Sequence, residues 1–111
     1  MMLVQMGELV TLDFSPSAGH EPAKRRPAVV VSTDIYNAYS SLIFVCPITS
    51  VDNGYPMHVP LPSGSSVRGW ICVEQLSGVD ATARRMAPLG EQLDESTMGE
   101  VLALIQSVFG L

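Results

Sequence analysis

Arg25-Arg26-Pro27-Ala28-Val29-Val30-Val31-Ser32 is the stretch on which the fold turns. Proline has no amide hydrogen and is accepted at the start of a strand but not in its centre. The apolar run after Pro27 therefore reads as a buried strand over residues 28–32. Immediately upstream, Gly19-His20-Glu21-Pro22-Ala23-Lys24 forms a polar loop. With Arg25 and Arg26 it gathers half of the six basic residues and one of the two histidines at the mouth of that strand. Folding alone does not call for such a load of cationic and titratable groups. It reads as a site for a phosphate.

Outward from this strand, residues 8–14 (ELVTLDF) alternate polar and apolar, the mark of a half-buried strand. Residues 33–41 read as a polar connection and residues 42–46 as a second buried strand ending at Pro47. Strand patterns over 57–61, 69–73 and 84–89 follow, separated by the turn-rich Asp52-Asn53-Gly54-Tyr55-Pro56 and Pro62-Ser63-Gly64-Ser65-Ser66. Short strands at this spacing predict a small antiparallel barrel or sandwich. Beyond Asp94, a candidate N-cap, Met98, Val101, Leu102, Ile105 and Val108 or Phe109 recur at helical spacing. That helix is expected to pack on the sheet.

The 111 residues suit one domain with a modest core, and 47% of them are hydrophobic, as in ordinary globular chains. No run approaches the ~20 apolar residues needed to cross a bilayer, and the first residues lack signal-peptide character, so a cytoplasmic protein away from membranes is expected. Cys46 and Cys72 lie in apolar strands and read as reduced core residues. No C-x-x-C and no histidine pair at ligand spacing occurs, so neither a metal nor another cofactor is expected. A net charge of -5 argues against a general nucleic-acid binder. The bases nevertheless cluster at Lys24-Arg25-Arg26, Arg68 and Arg84-Arg85, and a positive groove on an acidic chain remains open to them.

Arg26, held between the loop and the stiff Pro27, is the strongest candidate for bidentate phosphate binding, ahead of Lys24 and Arg25. His20 is the loop's one group able to trade protons near neutral pH. Pro47-Ile48-Thr49-Ser50 sets two hydroxyls at the end of a buried strand, where they either contact a ligand or stabilise a turn. Asp80 reads equally as a base and as a structural cap.

The succession Gly7-Glu8-Leu9-Val10, Leu12-Asp13-Phe14-Ser15-Pro16, Gly19-His20-Glu21 and Arg25 to Ser32 resembles the MazF/PemK/Kid toxins of bacterial toxin–antitoxin pairs. Tyr36-Asn37, Val45 to Ser50, Tyr55-Pro56, Glu74-Gln75 and Val79-Asp80 continue the match in order. The resemblance implies a mainly β chain with a helix: a small SH3-like antiparallel β-barrel of the CcdB/PemK type, closed by the C-terminal helix and paired as a homodimer. It implies a metal-independent endoribonuclease that cuts single-stranded RNA at short sequences, leaving 2′,3′-cyclic phosphate and 5′-hydroxyl ends. Arg26, Thr49, His20 and Asp80 fall on the family's catalytic positions. Lys24, Arg25, Ser50, Arg68, Gln75 and Arg84 are expected to contact RNA. A cognate antitoxin with an acidic disordered segment is the implied partner. Ser77-Gly78 carries no charge where many members have an arginine. Two alternatives stand: a barrel that only binds RNA or a protein, and a CcdB-like gyrase poison. The latter is disfavoured because the only tryptophan, Trp70, lies mid-chain.

Overall fold

The computed structural model describes residues 4–14 and 24–111. Seven strands form one antiparallel sheet in the order β4-β5-β3-β2-β1-β7, with β6 also paired to β3. They are β1 (Glu8–Asp13), β2 (Arg25–Val30), β3 (Leu42–Thr49), β4 (His58–Pro60), β5 (Trp70–Cys72), β6 (Ser77–Asp80) and β7 (Ala87–Gln92). Two helices, α1 (Asp34–Tyr39) and α2 (Glu95–Phe109), complete the fold. The expected β architecture with a C-terminal helix is present. The barrel, however, is not closed by backbone pairing: β4 and β7 end the strand order without meeting.

β3 is the hub. One edge pairs with β2 from Val45 to Pro47. Along the other, β6 pairs with Leu42–Val45 and β5 with Ile48–Thr49. Between β5 and β6 a single 3-10 turn, Val73–Gln75, lifts Glu74 and Gln75 out of the ladder. The β2–β3 pairing stops at Ala28 opposite Pro47, and β3 then continues against β5 alone. β2 itself runs back to Arg25 along β1, so Pro27 lies inside the strand rather than before it. It is tolerated because its β3 side is already unpaired there, where a missing amide hydrogen costs little. That separation of β2 from β3 opens the space in which the candidate site lies.

Alternation along the strands sends side chains to two clusters. Val10, Leu12, Ala28, Val30, Ile43 and Val45 pack with Val79, Ala81 and Met86. Leu9, Val29, Cys46, Ile48 and Ile71 pack under Met98 and Val101 of α2. Removing a fully buried leucine such as Leu12 down to alanine costs about 2–5 kcal/mol. Asp94 caps α2 as expected, accepting from Thr97 N at 3.1 Å and Thr97 Oγ1 at 2.7 Å. Val108 and Phe109 do not join the packed stripe. Both are exposed at the free end of the helix.

Besides the earlier start of β2, three elements differ from the sequence reading: β6, which no strand pattern marks, α1 and β7. α1 replaces part of the polar connection. It starts at Thr33, whose Oγ1 accepts from Tyr36 N, and is held by the buried Asn37, whose Nδ2 donates to the carbonyls of Val4 and Ser32. β7 begins three residues later than expected, because Arg84 and Arg85 belong to a turn in which Arg85 has φ 55°. Among the described residues no helix is long and apolar enough to cross a membrane.

Candidate active site

Arg26 stands between two adjoining clefts. One, about 330 Å³, is lined by Phe14, Lys24, Arg26, Pro47, Gln75 and Ser77. The other, about 320 Å³, is lined by Arg26, Pro27, Thr49, Ser50 and Arg68 among others. Six sequence candidates thus converge: Lys24, Arg26, Thr49, Ser50, Arg68 and Gln75. The convergence follows from the backbone. β2 presents Arg26 at its unpaired stretch, β3 delivers Thr49 at its end, and the 3-10 turn swings Gln75 into the first cleft. Among the described residues the Arg26 side chain makes no hydrogen bond or ion pair, while its backbone lies in the β1–β2 ladder opposite Leu12.

Thr49 Oγ1 accepts from Val51 N at 3.2 Å, which fixes the hydroxyl while leaving its own hydrogen free to donate. The chain passes close to this point on the other side. Gly69 has φ 140°, and a Cβ there would overlap the Thr49 carbonyl oxygen. Only glycine lets the backbone next to Arg68 approach so near. The Arg68 loop is also tied from behind. Glu91 on β7 accepts from Ser65 Oγ at 2.6 Å, Ser66 Oγ at 2.5 Å and Ser66 N at 3.0 Å. These bonds, Ser65 first, hold the Glu91 carboxyl below its ordinary value.

The remaining candidates lie elsewhere. Arg25, one residue along β2, donates to Asp13 Oδ1 at 3.3 Å, Thr11 O at 3.4 Å and Arg85 O at 2.7 Å. Asp80 lines neither cleft. Its Oδ1 accepts from Thr82 N and Ala83 N, the capping role weighed as its alternative. Arg84 sits in the same turn, its N–H donating to Asp80 O at 2.9 Å, and it lines neither cleft. His20 lies outside the described residues. The uncharged Gly78 has a local reason: a Cβ there would lie 3.1 Å from Phe44 Cε1, so the Phe44 ring occupies the room a longer side chain would need.

Cys46 and Cys72 are both free thiols and buried. Burial, helped by Cys72 and Glu74, pushes the Cys46 thiol up to about 12. Cys72 is raised as well, by burial first and then by Glu74, while the Thr49 backbone and Arg26 act the other way. One grouping was invisible to linear spacing. His58 faces Cys72 directly across the β4–β5 ladder, and its Nε2 lies 2.9 Å from Glu74 Oε2. The signal was there only as cross-strand register, which two strand patterns without a fixed pairing do not give.

The chain as a whole is similar to known proteins. Residues 5–109 match the family model of PemK-like, MazF-like toxins of type II toxin–antitoxin systems. The chain is 38% identical over 79 residues to the endoribonuclease toxin MazF of Escherichia coli, covering 71% of this chain and 70% of that one. It is 34% identical to endoribonuclease MazF9 of Mycobacterium tuberculosis, covering 85% and 92%. Among solved structures, a chain from a MazE–MazF crystal structure of Deinococcus radiodurans superposes with a TM-score of 0.91 at 35% identity, over 100% of this chain and 99% of that one.

Proposed function

The chain belongs to the PemK-like, MazF-like toxins of type II toxin–antitoxin systems, and from that premise we propose that it is a metal-independent endoribonuclease acting in the cytoplasm. Its substrate is single-stranded RNA, cut at short sequences. The observation that carries this reading is Arg26, with no side-chain partner among the described residues, between two clefts whose described lining includes Lys24, Arg68, Thr49 and Ser50. A cationic, hydroxyl-lined trough on a chain of net charge -5 suits a polyanion threaded along one path.

The 2′-hydroxyl attacks the adjacent phosphorus. An O2′–P bond forms as the P–O5′ bond breaks, giving a 2′,3′-cyclic phosphate and a 5′-hydroxyl. The 2′-hydroxyl proton leaves to a base, and the departing O5′ takes up a proton. Negative charge grows on the non-bridging oxygens in the transition state. Arg26 meets it with a two-pronged donor set, and Thr49 adds a hydroxyl donor. Lys24, Ser50, Arg68 and Gln75 bind the flanking phosphates and bases. The described lining of both clefts contains no carboxylate and no imidazole. Proton transfer is assigned to His20, the one group of the 19–26 stretch that trades protons near neutral pH. Asp80, engaged in its turn, acts on the reaction through the fold rather than at phosphorus.

A homodimer is the acting form, and an antitoxin segment rich in acidic residues blocks the toxin by lying in the same trough. The decisive experiment incubates the protein with a long mixed-sequence RNA in excess chelator and types the new ends. Cuts at a recurring short sequence with cyclic phosphate and 5′-hydroxyl ends are expected. Intact RNA at low salt and high protein concentration would replace this reading with that of a binding-only barrel.

A further inference from the structure

We propose that His58, Cys72 and Glu74, a trio that adjoins the Arg26 clefts but shares no residue with the groups assigned to cleavage, form a zinc-binding site. One ligand-type atom from each of the three lies within 4.8 Å of the others. The backbone explains why they meet. His58 and Cys72 are directly opposed across the β4–β5 ladder, where side chains on one face approach closely. Glu74 follows two residues after Cys72 and is turned toward His58 by the 3-10 turn, closing the third corner.

The chemistry of this trio selects the ion. A thiolate and an imidazole are ligands for zinc rather than for magnesium or calcium, which favour all-oxygen sets. Cys72 thiolate and Glu74 carboxylate carry two negative charges, which one Zn²⁺ cancels with a neutral His58. Binding forms an S–Zn bond as the thiol S–H breaks and its proton leaves to solvent. Three protein ligands and one water complete a tetrahedron, and the partly exposed Glu74 side chain leaves the open position toward solvent.

Two polar groups at the site are poorly satisfied. The His58 side chain is only 4% exposed, yet its Nδ1 is buried and has no hydrogen-bond partner among the described residues. Nε2, turned to Glu74, is the nitrogen that would ligate the ion, and Nδ1 on the other edge of the ring stays outside the ligand set. The Cys72 thiol makes only a long 3.8 Å contact to Trp70 O. His58 Nε2 and Glu74 Oε2 are already 2.9 Å apart, and all three ligand atoms lie within 4.8 Å, against about 3.2–3.8 Å between ligand atoms of a tetrahedral zinc site. Glu74, partly exposed, has the freedom to adjust as the ion enters between it and His58.

The test uses the full-length protein stripped with chelator and then titrated with Zn²⁺ against a chromophoric competitor, and with Co²⁺ followed by absorbance. One equivalent of each ion is expected to bind, with a thiolate-to-cobalt charge-transfer band and the strong visible bands of tetrahedral cobalt. C72S is expected to lose the charge-transfer band. E74Q, a surface change that leaves the core untouched, is expected to weaken zinc binding by at least the ~10-fold that loss of an outer-shell partner costs. H20A is expected to bind as the parent does. No binding by the parent, or binding unchanged in both C72S and E74Q, or binding lost in H20A alone, would overturn the site and leave His58–Glu74 as a plain ion pair.

Discussion

On one side of the β2 entrance, Arg25 is engaged by Asp13, by the Thr11 carbonyl and by the Arg85 carbonyl. One residue further, Arg26 faces two clefts with no partner among the described residues. The two side chains are chemically identical and adjacent. What separates them is strand alternation: the Arg25 side meets the turn at 80–85, and the Arg26 side meets the gap where β3 leaves β2. A cationic run in a sequence is therefore not one functional unit. At a strand it divides, residue by residue, into groups that hold the fold and groups that remain open to a ligand.

The largest effect that would sharpen this division is on catalysis. Arg26→Ala is expected to lower the cleavage rate on a fixed RNA by ~10²-fold or more, the scale of losing one transition-state donor. Its melting temperature should stay at the parent's value. A variant that cut as fast as the parent would erase the distinction. Arg25→Ala should show the opposite pattern. Loss of an exposed ion pair and its carbonyl contacts is expected to cost about 1 kcal/mol and lower the melting temperature by roughly 4 °C. Cleavage should persist within a few-fold. If thermal scans showed no shift and cleavage collapsed, Arg25 would belong with Arg26.

The smallest effect concerns the Arg68 loop, tethered to the cleft from the far side. Glu91 has a folded pKa below its ordinary 4.5 because Ser65 and Ser66 bond its ionised form. Its contribution is therefore fully present above about pH 4.5 and is lost as the pH falls through the lowered folded value. Glu91→Gln should melt slightly below the parent at neutral pH, and the two curves should converge in acid. A gap that widened on acidification would contradict the sign.

Much of this was legible in the sequence, and what was not has physical causes. The strands of the hub and the α2 cap showed themselves because their apolar period and Asp94 act locally. Lys24, Arg26, Thr49 and Ser50, which line the two clefts, stand out as candidates in the sequence because each lies at the end of a readable strand. β6 was missed because Ser77-Gly78-Val79-Asp80 has one apolar residue, and Phe44 across the ladder replaces the side chain Gly78 lacks. α1 was missed because six residues are too few to show a helical period. The division between Arg25 and Arg26, and the departure of Asp80 from the clefts, depend on which neighbour each face meets. Pairing and register decide that, and no local pattern encodes either one.

The unclosed order of strands has a consequence for how the molecule breathes. The middle of β3, around Val45, has neighbours along both edges, so its amides are expected to exchange with solvent only on large-scale opening of the sheet. β4 and β7 each pair on a single edge, and the side-chain clasp of Glu91 on Ser65 and Ser66 is what bridges the loop after β4 to β7. Sub-global opening is expected to begin at that seam. Arg68 would then swing away from Arg26 while the middle of β3 stays paired. The trough would widen at one wall only, admitting a polymer sideways instead of by its end.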